Sequence, residues 1–241
     1  FMVYYQPKAD IRSGRISGME ALMRWNRKGL EIVSPSEFIP LAEDTGAIYT
    51  LGEWVMEEAC KKLMGFNRIS GQDLSLSVNL SVKQFSQEDL VPKIRQILEK
   101  TGLDGRLLTI EITENIVISD IDRTIRILKE LSAMGIGISI DDFGTGYSSL
   151  SYLKKMPLAE LKIDKSFVDD LPQDPESCAI VNTVIALARN LSLKTVAEGV
   201  ETRSQLDFLK ETGCDEIQGY YYCRPVSASE IESFLLEEKS L

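Results

Sequence analysis

Histidine is absent from this 241-residue sequence, and that absence removes more chemistry than any other feature of the composition. Ser-His-Asp and Cys-His catalysis need an imidazole to carry the proton, and imidazole-based zinc sites need it as a ligand. No apolar run approaches the roughly 20 residues that span a bilayer, so this stretch of chain is expected to make no direct membrane contact. Cys60, Cys178, Cys214 and Cys223 are scattered, without a C-x-x-C pair. They are expected to be free thiols in a reducing cytoplasm rather than a disulfide framework. Basic residues are in the minority, 27 Lys and Arg against 37 Asp and Glu, for a net charge of −10. That balance argues against a nucleic-acid polymer as partner, because counterion release needs clustered Lys and Arg. A small anionic substrate stays open if metal ions mediate the contact. No signal peptide opens the chain, and Phe1-Met2-Val3 reads as the interior of a longer protein from which one domain, residues 1–241, has been excised. The chemistry left to such a chain runs on carboxylates, amides and lysines.

What is present is a repeated pattern. Leu74 to Ser81, Leu108 to Glu114, Ser139 to Asp141 and Ala159 to Asp164 alternate apolar and polar residues, the two-residue period of a strand. Helical signals separate them. Ser34-Pro35-Ser36-Glu37 opens a helix that Gly46 closes, and further helices are expected over about Thr50 to Met64, Ser86 to Thr101, Ser119 to Met134 and Cys178 to Asn190. Thr202 to Gln205 and Ser227 to Glu230 read as capping boxes, with Leu193 to Glu198 and Glu216 to Tyr220 as late strands. Strand and helix alternate about eight times, which predicts an α/β fold, a (β/α)₈ barrel of the TIM type. Val3 to Lys8 and Ile16 to Trp25 are joined by a link of hairpin length, so the first strand is expected to run antiparallel. An open doubly wound sheet is the alternative.

In a barrel the apolar parity faces the helices, so Ser75, Ser77, Asn79, Thr109, Glu111, Ser139, Asp141, Glu160 and Lys162 point inward. The polar residues nearest the C-terminal strand ends are Glu20, Asn79, Glu111, Asp141 with Asp142, Lys162, Glu198 and Gln218. These reach the mouth where barrel enzymes keep their sites. So many converging carboxylates demand neutralisation. Lys162 balances one charge, and all-oxygen ligation suits Mg²⁺, Mn²⁺ or Ca²⁺ for the rest. The residues alone thus point to a metal-dependent barrel enzyme acting on an anionic or polar substrate.

The ordered motifs Tyr5-Gln-Pro7, Glu20-Ala-Leu22, Ser36-Glu-Phe-Ile-Pro40, Asn79-Leu-Ser81, Glu111-Ile-Thr-Glu114, Asp141-Asp-Phe-Gly-Thr-Gly-Tyr-Ser-Ser-Leu150, Lys162-Ile-Asp164, Ala197-Glu-Gly-Val-Glu201 and Gln218-Gly-Tyr220 span the chain. Together the chain resembles the EAL-domain cyclic-di-GMP phosphodiesterases, signalling proteins built on a modified TIM barrel with an antiparallel first strand. The resemblance implies two divalent cations, Mg²⁺ or Mn²⁺, with Ca²⁺ binding but inhibiting. Glu20, Asn79, Glu111 and Asp141 would hold one, and Asp141, Asp142 and Glu198 the other. Lys162 would orient the attacking water or scissile phosphate, Glu198 could also act as general base, and Gln218 would stand beside them. Cyclic-di-GMP would be opened to linear 5′-pGpG. Substrate contacts are expected from Gln6, Leu22, Arg24, Phe38 and Glu43. Glu114, Phe143, Gly144, Thr145 and Gly146 correspond to a switch loop, and a homodimer is expected around it. A catalytically silent cyclic-di-GMP receptor is the rival reading.

Overall fold

The computed structural model describes residues 1–27, 32–114, 116, 120–144 and 150–237. Strand β1 (Met2–Asp10) turns back into β2 (Ile16–Asn26) through a link that Asp10 builds. Its carboxylate accepts from the Ser13 amide and hydroxyl at 2.6 and 2.7 Å, while Gly14 takes a left-handed φ of 70° that a β-carbon would disfavour. The hairpin pairs Gln6 with Glu20 and Tyr4 with Leu22.

After the short β3 (Ile32–Val33) come α1 (Pro35–Thr45) and α2 (Ala47–Ser70). The chain continues through β4 (Ser75–Asn79), α3 (Val82–Phe85), α4 (Leu90–Thr101), β5 (Leu108–Thr113), α5 (Ile121–Ala133) and β6 (Gly137–Phe143). Then follow α6 (Leu150–Leu153), β7 (Glu160–Ile163), α7 (Lys165–Val168), α8 (Pro175–Asn190) and β8 (Lys194–Ala197). The last elements are α9 (Arg203–Thr212), β9 (Glu216–Ile217), β10 (Val226–Ser227) and α10 (Ala228–Leu236).

The strands β2, β4, β5, β6, β7, β8 and β9 pair in parallel in that order, and β1 closes the ring antiparallel to both β2 and β9. This is the barrel with an inverted first strand, and closure excludes the open sheet. β3 and β10 are two-residue additions to β2 and β1.

The apolar parity packs outward against the helices. Leu76, Ile110, Ile138, Leu161 and Val196 are fully buried there. The opposite parity puts Ser77, Glu111, Ser139, Glu160 and Lys162 inside the ring, also buried. A polar interior replaces the branched apolar layers usual in such barrels.

Several boundaries differ from the periodicity. The helix expected over Thr50 to Met64 runs from Ala47 to Ser70, with glycines in left-handed conformation at both ends. The helix expected over Ser86 to Thr101 starts later, at Leu90, and is preceded by the separate short α3, which the reciprocal capping box of Ser81 and Gln84 opens just after β4. The capping boxes at Thr202 and Ser227 form as expected. Among the described residues no helix is long and apolar enough to cross a membrane.

Candidate active site

The Lys162 side chain rises from β7 into the ring and is 1% exposed. Its Nζ lies 2.5 Å from Glu198 Oε1, 2.7 Å from Glu111 Oε2, 3.1 Å from Asp141 Oδ1 and 3.5 Å from Glu20 Oε2. Four carboxylates from β2, β5, β6 and the end of β8 thus converge on one ammonium. Two amides extend the cluster. Asn79 Nδ2 donates to Glu20 Oε1 at 2.5 Å, and Gln218 Nε2 donates to Glu20 Oε2 at 2.6 Å and to Gln6 Oε1 at 3.1 Å. Gln6 in turn donates to the Cys223 carbonyl at 3.2 Å.

Asp142 joins through a backbone irregularity. Successive strand residues face opposite sides, but the pairing of β6 with β7 shifts register between Ile140 and Phe143, and Asp142 adopts a left-handed φ of 53°. Its amide donates to Asp141 Oδ1 at 3.1 Å. One oxygen each from Asp141, Asp142 and Glu198 lie within 4.8 Å of one another. Aspartate tolerates this conformation better than most residues.

The electrostatics are those of crowded anions. Burial, opposed by Lys162 and reinforced by neighbouring carboxylates, raises the carboxyls of Glu20 and Asp141 above their ordinary range. Burial also pushes Glu198 up to about 8, and burial with Asp141 and Asp164 pushes Asp142 up to about 6. Glu111 goes the other way. Burial would raise it, but Lys162 and then Lys8 hold it below the usual carboxylate range. Burial works against the Lys162 charge, yet Glu111, Glu20 and Glu198 hold it well above the usual lysine range.

An oxygen-only donor set of this kind fits hard divalent cations. Buried Gln218 Oε1 and Glu111 Oε1, without hydrogen-bond partners among the described residues, show that the polar lining exceeds what the chain itself satisfies. Asp141, Asp142 and Glu198 present an acidic cluster that could hold such a cation.

Among the described residues, two cavities border the mouth. One, of about 210 Å³, is lined by Gln6, Glu20, Leu22, Glu198, Gln218 and Tyr220. The other, of about 350 Å³, runs from Leu22, Arg24 and Asn79 under the helices to Ile39 and Val55. Arg24 is half-buried, donates to the Met23 carbonyl at 3.0 Å, and makes no ion pair among the described residues.

Phe38 and Glu43 line neither of these two cavities. Phe38 is 2% exposed and packs edge-on against Phe1 and Trp25, with ring centres 5.7 and 6.2 Å away. The Glu43 carbonyl accepts from Lys83 Nζ at 2.9 Å. Glu114 Oε1 accepts from the Gly144 amide at 2.9 Å, and Phe143 is buried. Thr145 and Gly146 lie outside the described residues.

The residue pattern missed Lys8, whose buried ammonium approaches Glu111 Oε1 at 3.6 Å from the other side. Its shared parity with Gln6 on β1 was the available signal. Tyr220 on the 210 Å³ cleft, with the Arg224 guanidinium 4.3 Å from its ring centre, stands in the Gln218-Gly-Tyr220 motif but was given no role there.

Fold and site together define a barrel whose C-terminal strand ends gather carboxylates for divalent cations. The profile described as the EAL domain matches residues 1–225. The chain is 45% identical over 230 residues to the bifunctional diguanylate cyclase/cyclic di-GMP phosphodiesterase MucR of Pseudomonas aeruginosa, covering 95% of this chain and 34% of that protein. It is 41% identical over 233 residues to the cyclic di-GMP phosphodiesterase NbdA of the same organism, covering 97% and 30%. The solved PaMucR phosphodiesterase in complex with c-di-GMP superposes with a TM-score of 0.90 at 45% identity, over 95% of this chain and 93% of that one. The chain belongs to the EAL domain family. It spans about a third of the length of the curated relatives it matches.

Proposed function

We propose that this chain is a divalent-metal-dependent phosphodiesterase that opens cyclic-di-GMP to linear 5′-pGpG. The observation that carries the reading is the convergence of Glu20, Glu111, Asp141 and Glu198 on the single Lys162 ammonium, with Asp142 alongside. Five carboxylates against one lysine leave an excess of four negative charges, which two divalent cations would balance. Glu20, Asn79, Glu111 and Asp141 would hold one, and Asp141, Asp142 and Glu198 the second, with Mg²⁺ or Mn²⁺ productive and Ca²⁺ inhibitory. Bound cations supply Lewis acidity toward the phosphoryl oxygens and make a water a better nucleophile near neutral pH.

The chain's own residues do the remainder. Water adds to phosphorus, the P–O3′ bond breaks, and the phosphate stays on the 5′ oxygen. Glu198, at the end of β8 beside Asp141 and Asp142, takes the water's proton. Lys162 orients the scissile phosphate and offers a proton donor at the mouth, and Gln218 holds Glu20 in place. Gln6 and Leu22 line the cleft beside these groups. Arg24, without a close ion pair among the described residues, presents a planar guanidinium to the second phosphate. Glu114, through the Gly144 amide, braces the end of β6 and so the two aspartates.

The test is incubation with cyclic-di-GMP in Mg²⁺, Mn²⁺, Ca²⁺ or EDTA, followed by chromatography. A pGpG peak with Mg²⁺ or Mn²⁺, absent with EDTA, is expected. Tight nucleotide binding without product in any metal would replace the enzyme with a receptor.

A further inference from the structure

Lys8 is as deeply buried as Lys162, at 1% exposure, yet the reaction proposed above gives it no task. Its Nζ donates to Ser77 Oγ at 2.7 Å and to Glu160 Oε1 at 3.4 Å, and stands 3.6 Å from Glu111 Oε1. Glu160 Oε1 also accepts from Ser139 Oγ at 3.0 Å. Glu160 alone suffices to neutralise Lys8, so the approach to Glu111 is an additional feature of the arrangement.

An ammonium can only donate. Ser77 Oγ must therefore accept from Lys8, which leaves the serine's own hydrogen to reach Glu111 on the neighbouring strand. The terminal torsion of a glutamate is broad and roughly two-fold, so a carboxylate held at one oxygen swivels. Glu111 is held at Oε2 by Lys162 at 2.7 Å from the mouth, while Oε1, without a hydrogen bond of its own, faces the Lys8 ammonium at 3.6 Å on the inner side, so Lys8 acts on the carboxylate plane through its charge.

We propose that Lys8 is a positioning residue for the metal site, setting the plane of the Glu111 carboxylate so that Oε2 is presented to a divalent cation at the mouth. It touches neither substrate nor reacting atoms. The inference rests on the reading of Glu111 as a metal ligand.

The experiment compares the wild type with Lys8→Met/Glu160→Gln and with Ser77→Ala. Lys8→Met alone would strand a buried carboxylate and could prevent folding. The double substitution removes one charge of each sign, so the net charge of the barrel interior is unchanged, and Ser77→Ala, which changes no charge, separates positioning from the local field. Mn²⁺ binding is read by calorimetry, folding by circular dichroism, and turnover as kcat and KM separately. The double variant is expected to fold, to bind Mn²⁺ about tenfold more weakly or worse, as loss of a residue that orients a ligand does, and to lose kcat with KM little changed. Ser77→Ala, which keeps the Lys8–Glu160 pair, is expected to weaken Mn²⁺ binding in the same direction. Wild-type Mn²⁺ affinity and kcat in the double variant, or unchanged Mn²⁺ affinity in Ser77→Ala if the double does not fold, would reduce Lys8 to a counter-charge for Glu160 and overturn the proposal. A wild type that binds no Mn²⁺ is a separate signature, which removes the metal reading and this inference with it.

Discussion

The Lys162 ammonium and the Glu111 carboxylate meet at 2.7 Å inside the barrel, at 1% and 0% exposure. Removing one partner of a buried pair strands the other, which typically costs about 3–5 kcal/mol. Lys162→Met is therefore expected to destabilise the metal-free protein by about that amount, and added Mn²⁺ is expected to restore part of the loss. Thermal unfolding in EDTA and in Mn²⁺ checks both. A metal-free variant as stable as the wild type would show that the carboxylates have taken up protons at no cost.

Glu20 receives the Asn79 and Gln218 amides and faces Lys162. Glu20→Ala is expected to keep the fold and to lower turnover by at least about two orders of magnitude, the scale of several kcal/mol of lost transition-state stabilisation. Steady-state kinetics beside a wild-type circular dichroism spectrum is the measurement. Full activity would remove Glu20 from the ligand set.

Arg24 lies half-buried beside the mouth, feels the Glu20 charge, and makes no close ion pair among the described residues. Arg24→Lys keeps the charge and loses the planar fork, so KM for cyclic-di-GMP is expected to rise about tenfold, ~1.4 kcal/mol, with kcat nearly unchanged. A fall in kcat at constant KM would place Arg24 in the transition state instead.

Cys60 and Cys214 are buried, and burial pushes both thiols up to about 12. The thiolate is the reactive form, so both are expected to resist a thiol reagent in the folded protein at pH 8. Cys178 and Cys223 are partly exposed. Titration should find at most two reactive thiols before denaturation and four after it.

Pairing of two copies through the region around β6 and the helices after it is a proposal that the family resemblance motivates. Sedimentation at tens of micromolar is expected to show a dimer, and a purely monomeric boundary would count against it.

The sequence by itself determined which residues look into the barrel. A period of two is a local property of the chain, so Ser77, Glu111, Ser139, Glu160 and Lys162 could be placed inside before any contact was known. Short polar motifs likewise marked the hairpin turn at Asp10 to Gly14 and the capping boxes at Thr202 and Ser227. Tertiary structure decided what those side chains meet. Lys8 finds Glu160, 152 positions away in the chain, only because β1 closes the ring. Asp142 reaches the cluster only through a register shift and a left-handed φ, which break the alternation that marked its neighbours. Phe38 packs edge-on against the stacked Phe1 and Trp25 because α1 lies on the hairpin, a contact that its motif does not specify. Periodicity assigns a face to each residue, whereas the partner across that face depends on closure, and closure is a property of the whole ring.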